Sequence, residues 1–233
     1  MAVLQDSICR SCPHLGESVF SELADEQLDH FCKLKFIHHY KKDQKIFYEG
    51  EPNLGLFILC SGTVKLSRSS RFGRRQIVGL SGPCGLLEGK DMFLKDRRTV
   101  SAEAMEDCVV CFVKREEFLD LMKRHPQIAL GLIERLAVEL DAAEEKIGAF
   151  AVLDVRRRLA DLLIRLAGRY GKPTPDGPLI GIHLTREDIA EMTGTTHETV
   201  IRTLSSFKKE NLIRDFQKQI LLTNEERLRR IAG

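Results

Sequence analysis

The sequence predicts an α+β chain in three parts: an amino-terminal β-roll with a cysteine-bearing segment over residues 1–113, a long helix within 114–150, and a carboxy-terminal winged helix-turn-helix over 151–233. Three observations carry that prediction. Gly50, Gly55, Gly62, Gly73, Gly79, Gly82, Gly85 and Gly89 punctuate short apolar runs such as GLFILC, TVKLS and QIVGL, the pattern of short strands joined by tight turns. From Pro126 to about residue 148, Leu132, Ile133, Leu136, Leu140, Ala143 and Ile147 recur at helical spacing. In residues 184–213, LTREDIAEMTGTTHETVIRTLSSFKKENLI, two short helical patterns flank a glycine.

In chain order, the first motif is Cys9-Arg-Ser-Cys12, placed before any strand pattern. Two thiolates at that spacing can share one metal or cluster, or close a disulfide. A thiol-disulfide oxidoreductase built on Cys9/Cys12 would want the pair after a strand and at a helix start, and no strand pattern precedes residue 9. Next, Cys32 shares an apolar helical stripe with Leu28 and Phe31, the position of a buried thiol. Within the roll, Cys60 and Cys108 read as core residues, and Cys108 and Cys111 are an odd number apart, so a regular strand points them to opposite faces. After the long helix, VRRRLADLLIRLAG reads as a helix and GKPTPDGP as a loop. IRDFQKQILLT, turning around Asp215 and Gln217, reads as the two strands of a wing, and NEERLRRI as a short capped helix.

The paired helices of 184–213 have a mechanism at each boundary. Thr185 can cap the first, with Asp188 three residues later completing a capping box, and Gly194 permits the turn. In the second, Val200, Leu204 and Phe207 face inward, leaving His197, Glu198, Ile201, Arg202, Ser205, Lys208 and Lys209 outward. An Arg fork can donate to guanine O6 and N7, a carboxylate can accept from cytosine N4, and an apolar Ile201 can meet a thymine methyl. Thr195, Thr196, Lys208 and Lys209 are then candidate phosphate contacts. The competing assignment for Glu198 is a capping partner of Thr195, and for Arg202 a surface pair with Glu198.

Composition agrees. The net charge is +2, but residues 151–233 carry 15 Lys and Arg against 11 Asp and Glu, so the basic surplus lies at the helix-turn-helix end. No apolar run approaches the roughly 18 residues that span a membrane, and MAVLQDSICR lacks the form of a signal peptide. A cytoplasmic protein is expected, with its seven cysteines in a reducing compartment.

The segment Glu198-Thr-Val-Ile-Arg202 resembles the recognition helix of the Crp/Fnr family, and IFYEGEP (46–52) with LFILCSGTVKL (56–66) resembles that family's cyclic-nucleotide-binding-type β-roll. The resemblance implies double-stranded DNA with two-fold half-sites as partner, Arg202 as guanine reader with Glu198 beside it, and an inner TG·CA-type core. His197 and Ile201 depart from the two best-known branches. It also implies a homodimer joined along the helix of Ile133, Leu136, Leu140, Ala143 and Ile147, contact with RNA polymerase, and a signal that acts on the pose of the recognition helices. For the signal, the oxygen-sensing branch implies a [4Fe–4S] cluster on Cys9, Cys12 and Cys111. That branch's third amino-terminal cysteine is missing, so Cys32, Cys84 or a carboxylate would supply the fourth ligand. The cyclic-AMP branch implies instead a nucleotide held by Glu88, Arg98 and Thr99, with Met92-Phe93-Leu94 filling part of the space. Haem, with His38, His39, Met92 or Met105 as axial ligands, and zinc in the same cysteines near His14 are the remaining options.

Overall fold

The computed structural model describes residues 12–71, 73–94 and 96–233, which divide between Asp141 and Ala142 into two units. In the first, a 3-10 turn at Leu15–Glu17 leads to helix α1 (Asp25–Leu34) and then to eight strands: β1 (Phe36–Tyr40), β2 (Lys45–Phe47), β3 (Gly55–Ser61), β4 (Val64–Ser69), β5 (Arg75–Ser81), β6 (Leu86–Leu87), β7 (Ser101–Ala104) and β8 (Cys108–Lys114). They form two antiparallel four-stranded sheets, ordered β1-β8-β3-β6 and β2-β7-β4-β5. The one-turn helix α2 (Asp91–Leu94) lies between β6 and β7, and helix α3 (Arg115–Arg124) follows β8.

Strands β3 and β8 are covered on both faces, which is why GLFILC and CVVCFV read as near-continuous apolar runs. Leu56, Ile58, Cys111 and Val113 join a core with Phe20, Phe31, Phe118 and Ile128. Leu59, Cys108 and Val110 join a second with Phe47, Val64 and Ala102 between the sheets. Cys108 and Cys111 thus occupy opposite faces, as their spacing predicts. Gly55 is required by close approach, since a Cβ there would sit 2.2 Å from the Val113 carbonyl oxygen. Phe118 and Leu121 have no exposed surface, and each such side chain stabilises the roll by about 1.5–3 kcal/mol.

Helix α4 runs Pro126–Val152, with its last turns from Ala142 grouping with the carboxy-terminal unit. The apolar stripe expected to be a single seam divides in two. Ile128 and Leu132 are buried in the helix's own core and Leu136 packs against it, whereas Ile133, Leu140, Ala143 and Ile147 are exposed. At about 100° per residue, with Leu132 set at 0°, Leu136 falls at about 40°, Leu140 at about 80° and Ile133 at about 100°, so one edge of the apolar stripe is buried and the other is left exposed.

The second unit contains helix α5 (Val155–Tyr170), capped by Asp154, strands β9 (Gly171–Thr174) and β10 (Gly177–Ile180), helices α6 (Arg186–Thr193) and α7 (His197–Lys209), strands β11 (Ile213–Phe216) and β12 (Gln219–Leu222), and helix α8 (Glu225–Ala232), capped by Asn224. The sheet order is β11-β12-β10-β9. GKPTPDGP, expected as loop, is a hairpin: Pro173 is tolerated because β9 is the sheet's edge strand, where a missing N–H breaks no ladder. The wing forms as expected, with Gln217 and Lys218 both at positive φ in its two-residue turn.

Candidate functional site

The reading face is set by caps, a turn and one arginine. Thr185 caps α6: its hydroxyl accepts from the Asp188 N–H at 3.0 Å, and the Asp188 carboxylate accepts from the Thr185 N–H at 2.9 Å. Gly194 ends the helix at φ +63°, and a Cβ there would lie 2.6 Å from Cε1 of Phe150, on the last turns of α4. Thr196, not Thr195, caps α7, its hydroxyl accepting from the Thr199 N–H at 3.3 Å. Val200, Leu204 and Phe207 are buried, and Arg156 of α5 holds the far end of α7: its guanidinium stands 4.7 Å from the Phe207 ring centroid and donates to both Glu210 carboxylate oxygens at 2.8 Å.

His197, Glu198, Ile201, Arg202, Ser205 and Lys209 are exposed on the opposite face, Thr196 beside them, with Thr195 and Lys208 half-buried. Ile201 is 45% exposed and stands on the same face, where its apolar side chain is accessible. The Glu198 carboxyl is held below its ordinary range by its own backbone N–H and by the Thr196 hydroxyl. Sequence reasoning missed Asp215 on the wing: its carboxylate pairs with Lys208 and lies 3.3 Å from Arg186, so an acidic group holds two cations beside the reading helix. Burial raises the Asp215 pKa, but the Lys208 hydrogen bond and both positive charges outweigh it and leave the carboxyl below normal.

A second constellation lies in the roll. Cys12, Cys60, Cys84 and Cys111 line one small cavity, about 30 Å³, whose other walls include Leu15, Phe20, Phe31 and Ile58. The thiols meet in two pairs: Cys12 Sγ is 3.4 Å from Cys84 Sγ, and Cys60 Sγ is 2.8 Å from Cys111 Sγ. Cys60, read from sequence as an ordinary core residue, comes to Cys111 because it occupies the irregularity in the β3–β8 register between Leu59 and Ser61. Cys32 is buried on α1, where its sulfur accepts from Lys35 Nζ at 3.5 Å, and it is not among the cavity's lining residues. Cys9 lies outside the described residues.

The donor set suits a soft metal or a cluster, because thiolate sulfur is the favoured ligand of zinc and iron–sulfur centres. Among the described residues no three His, Cys, Asp or Glu side chains are gathered around one point as a single ion requires. The four thiols that line the cavity are the donor type that would hold such a centre, and they stand as two pairs.

The nucleotide cassette is engaged elsewhere. Arg98 is buried over the rings of Phe47 and Phe57, 4.4 and 5.1 Å from their centroids, and donates to the Gly55 carbonyl at 2.5 Å. Thr99 donates its N–H at 2.7 Å and its hydroxyl at 2.9 Å to the Asp91 carboxylate, which has no exposed surface. Glu88, at φ +62°, pairs with Lys90. Asp91, Glu51 and Glu88 all lie close enough to act on the Arg98 charge, so a cyclic phosphate would enter among three carboxylates. One Arg98 donor, Nη1, is buried with no hydrogen-bond partner among the described residues. Of the haem candidates, His38 and His39 are exposed on β1, whereas Met92 and Met105 are buried. No helix among the described residues is long and apolar enough to cross a membrane.

A recognition helix with an Arg- and Glu-bearing outer face, seated against a wing and preceded by a β-roll, defines a DNA-binding transcription regulator. Residues 157–231 match the Crp-like helix-turn-helix domain, and residues 37–125 match the cyclic nucleotide-binding domain. The chain is 30% identical over 193 residues to the CRP-like cAMP-activated global transcriptional regulator of Mycobacterium tuberculosis, covering 83% of this chain and 86% of that protein. It is 28% identical over 232 residues to the transcriptional activator protein FnrL of Cereibacter sphaeroides, covering 97% and 92%. The solved structure of FixK2 from Bradyrhizobium japonicum is similar at a TM-score of 0.75 and 26% identity, over 85% of this chain and 98% of that one. The chain belongs to the Crp/Fnr family of transcriptional regulators.

Proposed function

We propose that the chain is a homodimeric regulator whose DNA binding answers to a redox, oxygen or nitric-oxide signal through an iron–sulfur cluster held by its thiols, with Cys9, Cys12 and Cys111 among the ligands. The observation that carries this is the convergence of Cys12, Cys60, Cys84 and Cys111 on one cavity, from four separate stretches of the chain. Such a cluster, when bound, supplies an oxygen- and redox-labile bridge among thiolates. The chain's own part is to hold the sulfurs in an apolar pocket and to pass their arrangement to α4.

Dimerisation through α4 is supported by Ile133, Leu140 and Ile147, which repeat every seven residues, are each at least 61% exposed, and lie on the face left over by Leu132 and Leu136. Two recognition helices then meet successive major grooves about one DNA turn apart, Arg202 and Glu198 reading bases while Lys208 and Lys209 meet phosphate. RNA polymerase is the expected protein partner at the promoter.

Protein purified without oxygen is expected to be brown, to contain iron and acid-labile sulfide, and to change its affinity for a palindromic site on exposure to air. A colourless, metal-free protein with air-indifferent DNA binding refutes the reading. The second reading, a cyclic nucleotide as effector, is favoured by the domain match over 37–125, by the cAMP-activated relative and by the unpartnered Arg98 Nη1. Calorimetric titration with cyclic AMP decides: saturable heat with tightened DNA binding establishes it, and no heat at millimolar nucleotide removes it.

A further inference from the structure

Resting on the cluster reading above, we infer that Cys84 supplies the ligand the amino-terminal segment lacks, and that its loop passes the state of the thiol site to helix α4 through Arg135. The first observation is proximity. Cys84, 72 residues from Cys12, brings its sulfur within 3.4 Å of Cys12, and both line the cavity that holds Cys111. Cys32, the other candidate, is buried on α1 with its sulfur accepting from Lys35 Nζ, and it does not line that cavity.

The second observation is how rigidly Cys84 is presented. It sits at φ +59°, a left-handed conformation that is unfavourable for a non-glycine residue and persists only where the surroundings impose it. Its N–H donates to the Leu59 carbonyl at 2.7 Å, the Leu59 N–H donates to the Gly85 carbonyl at 2.9 Å, and the Gly85 N–H donates to the Gly82 carbonyl at 3.0 Å. Gly85 admits no side chain, because a Cβ would lie 1.9 Å from Ser81 Oγ and 2.7 Å from the Gly82 oxygen. The Gly82-Pro83-Cys84-Gly85 turn is thereby tied to β3, the strand carrying Cys60. A strained residue held this firmly, with its sulfur aimed at another thiol, is what a preorganised ligand requires.

The third observation links the turn to the helix. Arg135 of α4 reaches the Cys84 carbonyl oxygen with Nη1 at 3.5 Å while its Nε donates to Glu139 at 3.1 Å. One turn earlier, Leu132 is buried in the core that contains Cys111. Helix α4 therefore touches the site through the backbone of one thiol residue and the packing around another. A displacement of the Cys84 turn alters where Arg135 is held, and with it the segment of α4 that begins the exposed seam.

The test uses the full-length protein, reconstituted anaerobically with ferrous iron and sulfide. Cys84→Ser is expected to retain iron and sulfide at least about tenfold less durably than wild type, and Cys32→Ser to match wild type. Arg135→Ala is expected to hold wild-type iron, sulfide and visible spectrum, while the ratio of DNA affinities before and after air exposure falls toward one from the roughly 5–150-fold expected of an allosteric coupling. Labelling of unmodified wild type with iodoacetamide, read by mass spectrometry, avoids any folding defect: Cys84 is expected to be protected in the loaded protein and labelled after the iron is stripped. Wild-type iron retention in Cys84→Ser, or equal labelling in both states, overturns the ligand assignment. An unchanged affinity ratio in Arg135→Ala overturns the coupling. A wild type that takes up no iron fails the cluster reading itself and this inference with it, whereas iron held without Cys84 fails only the inference.

Discussion

Replacing Gly194 with alanine isolates what positions the reading helix. Two costs arise. Holding an alanine at φ +63° costs about 1–2 kcal/mol, because Cβ crowds the carbonyl oxygen in the left-handed region. The new methyl also meets Phe150, with Cε1 at 2.6 Å and Cζ at 3.3 Å, closer than carbon atoms tolerate, and such overpacking costs about 1–3 kcal/mol. Phe150 has little freedom to retreat, since the Arg158 guanidinium stands 5.0 Å from its ring centroid and is itself anchored on the Thr193 carbonyl at 3.1 Å and the Leu153 carbonyl at 2.6 Å. Gly194→Ala should therefore destabilise the carboxy-terminal unit by about 2–5 kcal/mol. In the Phe150→Ala background, only the backbone cost remains, so the double-mutant cycle should show a favourable coupling of about 1–3 kcal/mol. Urea unfolding followed by circular dichroism measures stability, and fluorescence anisotropy on a palindromic site measures DNA binding. Costs that add within about 0.5 kcal/mol would refute the role given to the Phe150 contact.

Arg202→Ala should cost about 1–3 kcal/mol on specific DNA and relax preference at one base position, whereas Lys208→Ala should weaken specific and random DNA alike and lower the salt slope by about one; equal losses on both DNAs for Arg202→Ala contradict a base-reading role. Asp215→Asn should release Lys208 and Arg186 toward phosphate and tighten binding to all sequences with a steeper salt dependence; unchanged affinity shows that DNA already draws these cations off the wing. Glu103, side by side with Lys45 at 2.5 Å, Lys65 at 3.0 Å and Arg75 at 3.0 Å, has its pKa raised by burial but lowered further by the lysines, to about 2 against an ordinary 4.5. A carboxyl depressed in the folded state stabilises above its unfolded value, so the stability advantage over Glu103→Gln should hold above about pH 4.5 and vanish as the pH falls toward 2; an advantage independent of pH between 2 and 6 rules this out.

What was legible in the sequence follows from how local its causes are. The Thr185–Asp188 capping box, the Gly194 turn, the Asn224 cap and the inward set Val200, Leu204 and Phe207 each depend on residues within a few positions of one another, and all form as read. The parity of Cys108 and Cys111 needed only the two-residue period of a strand. What was not legible depends on register and on distant partners. Cys60 reaches Cys111 through a shift in pairing that no local pattern announces, and Cys84 reaches Cys12 across 72 residues. Asp91 captures Thr99 where the sequence suggested a ligand, and Asp215 captures Lys208 where it suggested a phosphate. Each is a carboxylate meeting a donor once the fold has closed, which residue type alone does not reveal. The GKPTPDGP hairpin was hidden because proline reads as a breaker until the strand is known to lie at an edge.

Magnitudes decide where along α4 a signal can act. Ile128 and Leu132 are nearly or fully buried, and at about 1.5–3 kcal/mol each they fix the first two turns to the roll more strongly than a single hydrogen bond of about 0.5–1.5 kcal/mol at Arg135 can undo. The next stretch is different. Every residue from 137 to 145 is exposed, Ala137, Val138, Leu140, Ala142 and Ala143 among them, so among the described residues no buried side chain anchors this stretch. Nine residues are fewer than the roughly 12–15 that an isolated helix needs to hold itself in water. Its helicity is continued from the anchored turns on either side, Leu132 before it and Phe150 after it, and in the proposed dimer a second copy along Ile133, Leu140 and Ile147 would add to this, which is where a small change at Arg135 would find a segment able to respond. Amide hydrogen exchange should accordingly be faster over 137–145 than over 127–136, should slow as protein concentration drives pairing, and should differ between iron-loaded and stripped protein. Equal, concentration-independent protection along the whole helix would show that α4 is rigid by itself and that the signal reaches the reading helix by another route.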